Sequence, residues 1–283
     1  MNRLFTLMRS PITWITFTGI VVVLLVAFIL PYAQATTYSS DASTVGKAVA
    51  KKLIPEVPKT LDKAKYDRLL IKNANYASTT ASTTKRIWPA KAPYPNAGAI
   101  LPEKRIIAYY GNYYSTKMGI LGEFEPSVVL QKMRAEIAKW EAADPETKVM
   151  PAIEYIAVVA QDNPGKSGLY RARMPDEHID KAIEMAKEMN GIVILDVQVG
   201  LSTVQSEIPA LEKYLKMPQV HLALDPEFSM KGGEEPGTVI GHMSASDINY
   251  TANYLAKLVK DNNLPPKVLI VHRFTQRMVR DAE

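Results

Sequence analysis

Beyond position 104 the chain alternates between two textures. Five short apolar runs, "RIIAYYGN" from Arg105, "VMPAIEYIAVVAQ" from Val149, "GIVILDVQVG" from Gly191, "VHLALDPEF" from Val220 and "KVLIVHRF" from Lys267, are rich in β-branched residues and nearly continuous in hydrophobicity. Runs of this length and texture suit strands buried on both faces, as in a parallel sheet. Between them, apolar residues recur at helical spacing. Pro126 opens one such stretch, with Val129, Met133, Ile137 and Trp140 as its inward face. Pro175 opens the next, with Ile179, Ile183 and Ala186 inward and Asn190-Gly191 as its exit. A third, from about Ser202, carries Val204, Ile208, Leu211 and Leu215, with Pro209 as a point for a kink; a fourth follows Ser244 with Ile248, Ala252, Leu255 and Val259.

Strands alternating with helices imply parallel pairing through crossovers, hence an α/β domain over residues 104–283. Two architectures stay open: a five-stranded doubly wound sheet, and a (β/α)8 TIM-barrel-like domain truncated after the fifth strand. A complete barrel takes about 250 residues, whereas 179 follow Lys104. The final "TQRMVRDAE" reads as the helix after strand five, so the expectation is a truncated barrel, with the chain a piece of a longer product.

The first 103 residues have a different pattern. Arg3 and Arg9 precede an uncharged apolar run in which Ile12 to Leu30 has the length of a membrane-crossing helix, and the basic flank sends the rest of the chain across the membrane. "AQA" at Ala33–Ala35 has the small-x-small pattern of a signal-peptidase site. Residues 1–35 therefore read as a signal peptide or a membrane anchor, and the protein as extracytoplasmic, either secreted or membrane-anchored. Residues 36–103 are rich in Ser, Thr, Ala, Pro and Lys, include the low-complexity "ASTTASTTKR", and read as an extended stalk with short helices near Thr44–Leu53 and Leu61–Lys72.

Charge and cysteine content narrow the classes. Through Lys104 there are 14 Lys and Arg against 5 Asp and Glu, and beyond it 20 against 24, so the basic character belongs to the stalk. A nucleic-acid partner would want that charge on a folded, aromatic-bearing face; anionic lipid or acidic wall polymer suits a basic tether better. With no cysteine there is no disulfide frame and no thiolate metal site.

Sites in both architectures lie at the C-terminal ends of parallel strands. Those ends offer Tyr109, Tyr110 and Asn112; Gln161 and Asp162; Asp196 and Gln198; Asp225 and Glu227; and His272 and Arg273. A two-residue period puts His221, Ala223, Asp225 and Glu227 on one face of the fourth run, and leucines on the other. Crowded carboxylates raise one another's pKa, which suits one of them to general-acid duty. The plainer reading has Asp225 capping a turn and Glu227 paired with Arg273 or Lys231. Glu154, deep in its run, needs a partner such as His221 or Lys267. The four tyrosines of "YYGNYY" offer flat platforms for sugar faces, and the loop Asn163–Pro175 supplies Arg171 and Arg173, either to a ligand or to balance the acids. His178 and His242 read as solvent-facing. His221, His272, Asp196, Asp225 and Glu227 could converge on a cation, but no HxH or HExxH spacing supports this. No metal and no cofactor is therefore assigned.

The segments "IIAYYGNYYSTKMGILGEF", "GKSGLYRARMP", "ILDVQVG", "LALDPEF" and "PGTVIG" resemble uncharacterised secreted bacterial proteins with glycoside-hydrolase-like barrels, over Arg105 to the end. A second likeness is to family 18 chitinases, through "IIAYYGN" and through Asp225 and Glu227, the last two acids of that family's D-x-x-D-x-D-x-E pattern. The resemblance implies Glu227 as the acid and Asp225 as its orienter. The reading is thus a carbohydrate-active barrel, a glycoside hydrolase on a cell-envelope or extracellular glycan. Its catalytic pair is Asp225 and Glu227, and its ligand contacts are Tyr109, Tyr110, Asn112, Gln161, Arg171, Asp196, Gln198 and His272. A non-catalytic glycan-binding protein and a metal-dependent hydrolase remain the alternatives.

Overall fold

The computed structural model describes residues 60–73 and 92–282. Among the described residues no helix is long and apolar enough to cross a membrane. The run Ile12–Leu30, the Ala33–Ala35 site, the helix near Thr44–Leu53 and the low-complexity patch all lie outside them.

The domain is α/β, built on a curled parallel half-barrel sheet. Its five strands are β1 (Arg105–Gly111), β2 (Val149–Ala160), β4 (Ile192–Val197), β5 (Val220–Leu224) and β7 (Leu269–Val271), and they lie side by side in chain order. Each neighbouring pair is parallel, with Ala152 opposite Ile192, Val193 opposite Val220 and Leu222 opposite Leu269. Chain order without reversal leaves β1 at one edge, where a doubly wound sheet would bury its first strand. Curl brings the far edges together: the rings of Tyr110 on β1 and His272 just past β7 are 6.3 Å apart between centroids.

The helices cover one face. They are α2 (Ile120–Glu123), α3 (Pro126–Ala143), α4 (Asp176–Lys187), α5 (Val204–Ala210), α6 (Glu212–Leu215) and α7 (Ala245–Asp261), after a first helix α1 (Lys63–Asn73). Ile153, Tyr155, Leu195, Val197, Leu222 and Leu224 pack there against Val129, Ile179, Ile208 and Leu255. The opposite face carries a smaller apolar layer, Ala152, Ile192, Ile194 and Ala223, with Ile106, Ala108 and Ile270 at its margins.

Several expectations need correction. The third expected helix is two, with Pro209 inside the last turn of α5 and the break before α6 at Leu211. Trp140 is 40% exposed; it lies under the Arg105 guanidinium at 5.0 Å and donates to Glu136. The chain after β7 forms a 3-10 turn (Gln276–Met278) and a short strand β8 (Val279–Arg280) instead of a helix. That strand pairs with β6 (Met243–Ser244), whose Ser244 opens α7 through a reciprocal capping box with Asp247.

Two further attachments matter. Strand β3 (Arg171–Arg173) folds back antiparallel on the end of β2, beyond a register shift between Ile156 and Val158. Helix α1, in the middle of the expected stalk, meets the domain through Lys72, which pairs with Asp144 and Glu146, while Lys65 pairs with Glu103 and Asp67 accepts from the Tyr94 hydroxyl within the stretch read as stalk.

Candidate functional site

Side chains that alternate onto the concave face change character toward the strand ends. Ala152 is followed by Glu154 on β2, Ile194 by Asp196 on β4, Ala223 by Asp225 past β5, and Ile270 by His272 past β7. Each strand thus switches from apolar to titratable within one two-residue step, at the end where parallel sheets place their sites.

Gln198 organises the cluster. Its Oε1 accepts from the backbone N–H of Ala160 at 3.0 Å, which turns the amide nitrogen toward the Asp225 carboxylate (3.2 Å) and the Tyr110 hydroxyl (3.4 Å). The register shift in β2 permits this, because Gln198 N–H bonds Val158 O just beyond it. His272 donates from Nε2 to Glu154 Oε1 at 3.0 Å and stands 4.0 Å from Asp196 Oδ2. Asp196 has no solvent exposure, and no partner meets hydrogen-bond geometry at either carboxylate oxygen, although the Tyr110 hydroxyl is close enough to act on it.

Electrostatics follow from that crowding. Burial, reinforced by the charge of Asp225, pushes Asp196 up to about 8. Burial and then the charge of Glu227 push Asp225 up to about 6. Through its bond to Glu154, His272 is raised to about 9, and burial together with Asp196 holds the Tyr110 hydroxyl well above the usual range. Carboxyl groups that share a dry site cannot all ionise cheaply.

Of the residues expected at the site, Tyr110, Asp196, Gln198, Asp225 and His272 converge, and Glu154 joins them. Glu154 takes His272 as its partner, while the two partners expected for it are engaged elsewhere. His221 accepts from the Val268 N–H at 2.9 Å, and Lys267 donates to the carbonyls of Val220 (2.8 Å) and Met217.

The other expected residues do different things. Tyr109 packs against the helix-side core, as does Tyr113, which stacks on Tyr155 at 4.8 Å. Tyr114 is 69% exposed. Asn112 is spent on its turn, donating to Ile156 O and accepting from the Tyr114 N–H. Gln161 bonds Tyr170 O through its backbone at the root of the β3 hairpin. Arg171 and Arg173 both donate to Glu207, a fully buried carboxylate on α5 that also accepts from Ser202. They balance that acid, and not those of the strand ends.

Glu227 departs from the expected alternation. Strand β5 stops at Leu224, and Pro226, which has no N–H to give a ladder, opens a 3-10 turn over Pro226–Phe228. Glu227 sits on that turn, near enough for its charge to act on Asp225. Its expected partners are taken: Lys231 pairs with Asp247, and Arg273 donates to Thr275 O and Gln276 O. His178, read as solvent-facing, instead bonds the Tyr155 hydroxyl at 2.9 Å among Tyr113 and Tyr114.

No family model, curated protein or solved structure matches this chain.

Proposed function

We propose that this protein is an extracytoplasmic, carbohydrate-active hydrolase on a TIM-barrel-like scaffold, carried across the membrane by its N-terminal apolar segment and acting on a cell-envelope or extracellular glycan. The observation that carries the reading is Asp225: a buried carboxylate at a strand end, oriented by the Gln198 amide and flanked by a second acid, Glu227. A carboxyl group in that setting takes and gives protons near neutrality, as hydrolysis of a glycosidic bond requires. Tyr110 supplies an aromatic ring and a hydroxyl, and the Gln198 amide holds that hydroxyl and Asp225 in place, an arrangement that suits a polyhydroxylated ligand.

In this reading Asp225 transfers the proton, Glu227 is the second carboxylate, and the Glu154–Asp196–His272 cluster forms the floor of the site. The test is release of reducing ends from a panel of envelope and extracellular glycans by the full chain. Asp225→Asn is expected to lower release at least 100-fold with glycan binding retained, and Glu227→Gln to lower it less. Glycan binding without release by the unaltered protein would make it a binding module and overturn the hydrolase reading.

A further inference from the structure

The cluster of Glu154, Asp196 and His272 is not explained by the fold. A buried carboxylate is tolerated when it is paired or fully hydrogen-bonded, and Asp196 is only loosely held: its ion pair with His272 spans 4.0 Å, and the Tyr110 hydroxyl stands beside it. No partner meets hydrogen-bond geometry at either oxygen, although the side chain is completely enclosed. His272 is the nearest compensating charge, but its Nε2–H is committed to Glu154 at 3.0 Å, leaving Asp196 Oδ2 at 4.0 Å. One imidazolium therefore serves one of the two carboxylates.

The geometry suits a different occupant. The three donor atoms lie within 4.8 Å of one another. A small cation held by each ligand at about 2.0–2.2 Å keeps tetrahedral ligands roughly 3.3–3.6 Å apart, between the two observed separations of 3.0 and 4.0 Å. A mixed set of one imidazole and two carboxylates suits first-row divalent ions that accept nitrogen and oxygen ligands together better than calcium or magnesium, which take all-oxygen shells. Asp196 and His272 were among the cation ligands the sequence offered, but Glu154 was not, because the set is drawn from β2, β4 and the loop past β7 and has no local spacing.

We infer that Glu154, Asp196 and His272 together bind one divalent cation of the Zn²⁺ or Mn²⁺ kind, within the site proposed above and resting on that reading for the ion's use, though not for its binding. The ion takes both carboxylates as ligands, releases to solvent the proton between Glu154 and His272 so that Nε2 can ligate, and gives Asp196 a close partner. Three protein ligands leave at least one coordination position open, as catalytic sites do. Water or a ligand hydroxyl fills that position, in the region where Tyr110, Gln198 and Asp225 gather.

The test is calorimetric titration of ZnCl₂, and separately MnCl₂, into the full chain held in detergent and stripped with chelator, with no glycan present. The expected result is one ion per chain for at least one of the two metals. Asp196→Asn and His272→Ala each weaken binding at least tenfold, and His242→Ala, outside the cluster, leaves it unchanged. Zinc-edge X-ray absorption then shows an imidazole among the ligands that is lost in His272→Ala. If His272→Ala fails to keep the unaltered circular-dichroism spectrum, the isosteric Glu154→Gln takes its place, with the same tenfold loss expected. No stoichiometric binding of either ion, or binding that Asp196→Asn leaves within twofold, overturns the inference. An ion bound with full affinity by a protein that releases no sugar overturns the hydrolase reading and leaves the metal site standing.

Discussion

At the scale of single residues, the concave face holds groups whose protonation the fold controls. His221 shows the consequence most simply. Its Nδ1 accepts from the Val268 N–H, while its Nε2 is buried without a partner. Burial, with Lys267 nearby, holds it down at about 3. The unfolded chain therefore binds a proton at this residue below about 6.5 that the folded chain refuses. Its contribution to stability is complete above that pH and is lost as pH falls toward 3. Asp196 and Asp225, raised by burial, act in the opposite direction over part of the same range, so the comparison must be between variants. In urea titrations from pH 7.5 to 5, His221→Gln, which keeps an acceptor, should lose less stability on acidification than the unaltered protein. The difference should approach about 1.4 kcal/mol per pH unit at the acid end; parallel curves would refute this account of His221. Much at this scale was legible in the sequence. A two-residue period read to the strand ends reaches Tyr110, Asp196, Gln198, Asp225 and His272. Glu154 was not, because it joins the cluster by reaching across the curled sheet to His272, a relation no local pattern carries. Glu227 was misplaced because Pro226 ends the alternation one residue before it.

At the scale of elements, the site depends on loops that dock at the strand ends. Gly200, two residues past Gln198, is their junction. Its N–H bonds Phe228 O, its carbonyl accepts from Met230, and the neighbouring Leu201 N–H bonds Leu169 O, so the β3 hairpin and the turn after β5 meet there. The residue has φ of +58°, and a Cβ would stand 2.6 Å from the carbonyl oxygens of both Leu169 and Tyr170. Gly200→Ala should therefore cost about 1–3 kcal/mol in urea unfolding; a change below about 0.5 kcal/mol would show that the hairpin yields freely. The five main strands and most helices were readable because each is a continuous apolar run or a periodic stripe. The short elements were not. Strand β3 is Arg-Ala-Arg, held by the buried Glu207, and β6 and β8 are two residues each, paired over a long separation in sequence. The tail after β7 read as a helix because its composition allows one, whereas Met278 is buried and Val279 pairs with Met243 instead.

At the scale of the molecule, the two faces of the sheet are unequal. The helix side supplies the main hydrophobic core, while the concave side gives up part of its apolar layer to a cluster of like-charged acids around one histidine. Such a cluster opposes folding, and a fold keeps one where a ligand repays it. The central claim is that Asp196 is maintained for function against stability. It is tested most directly by measuring the thermal midpoint and the glycan release of the chelator-treated full chain, side by side with Asp196→Asn. Removing a buried, loosely held carboxylate while keeping its shape should raise the midpoint by about 2–6 °C, the equivalent of roughly 1–2 kcal/mol for a domain of this size, and should abolish release even after metal is restored. A lower midpoint with release intact would contradict the account and make Asp196 part of the frame.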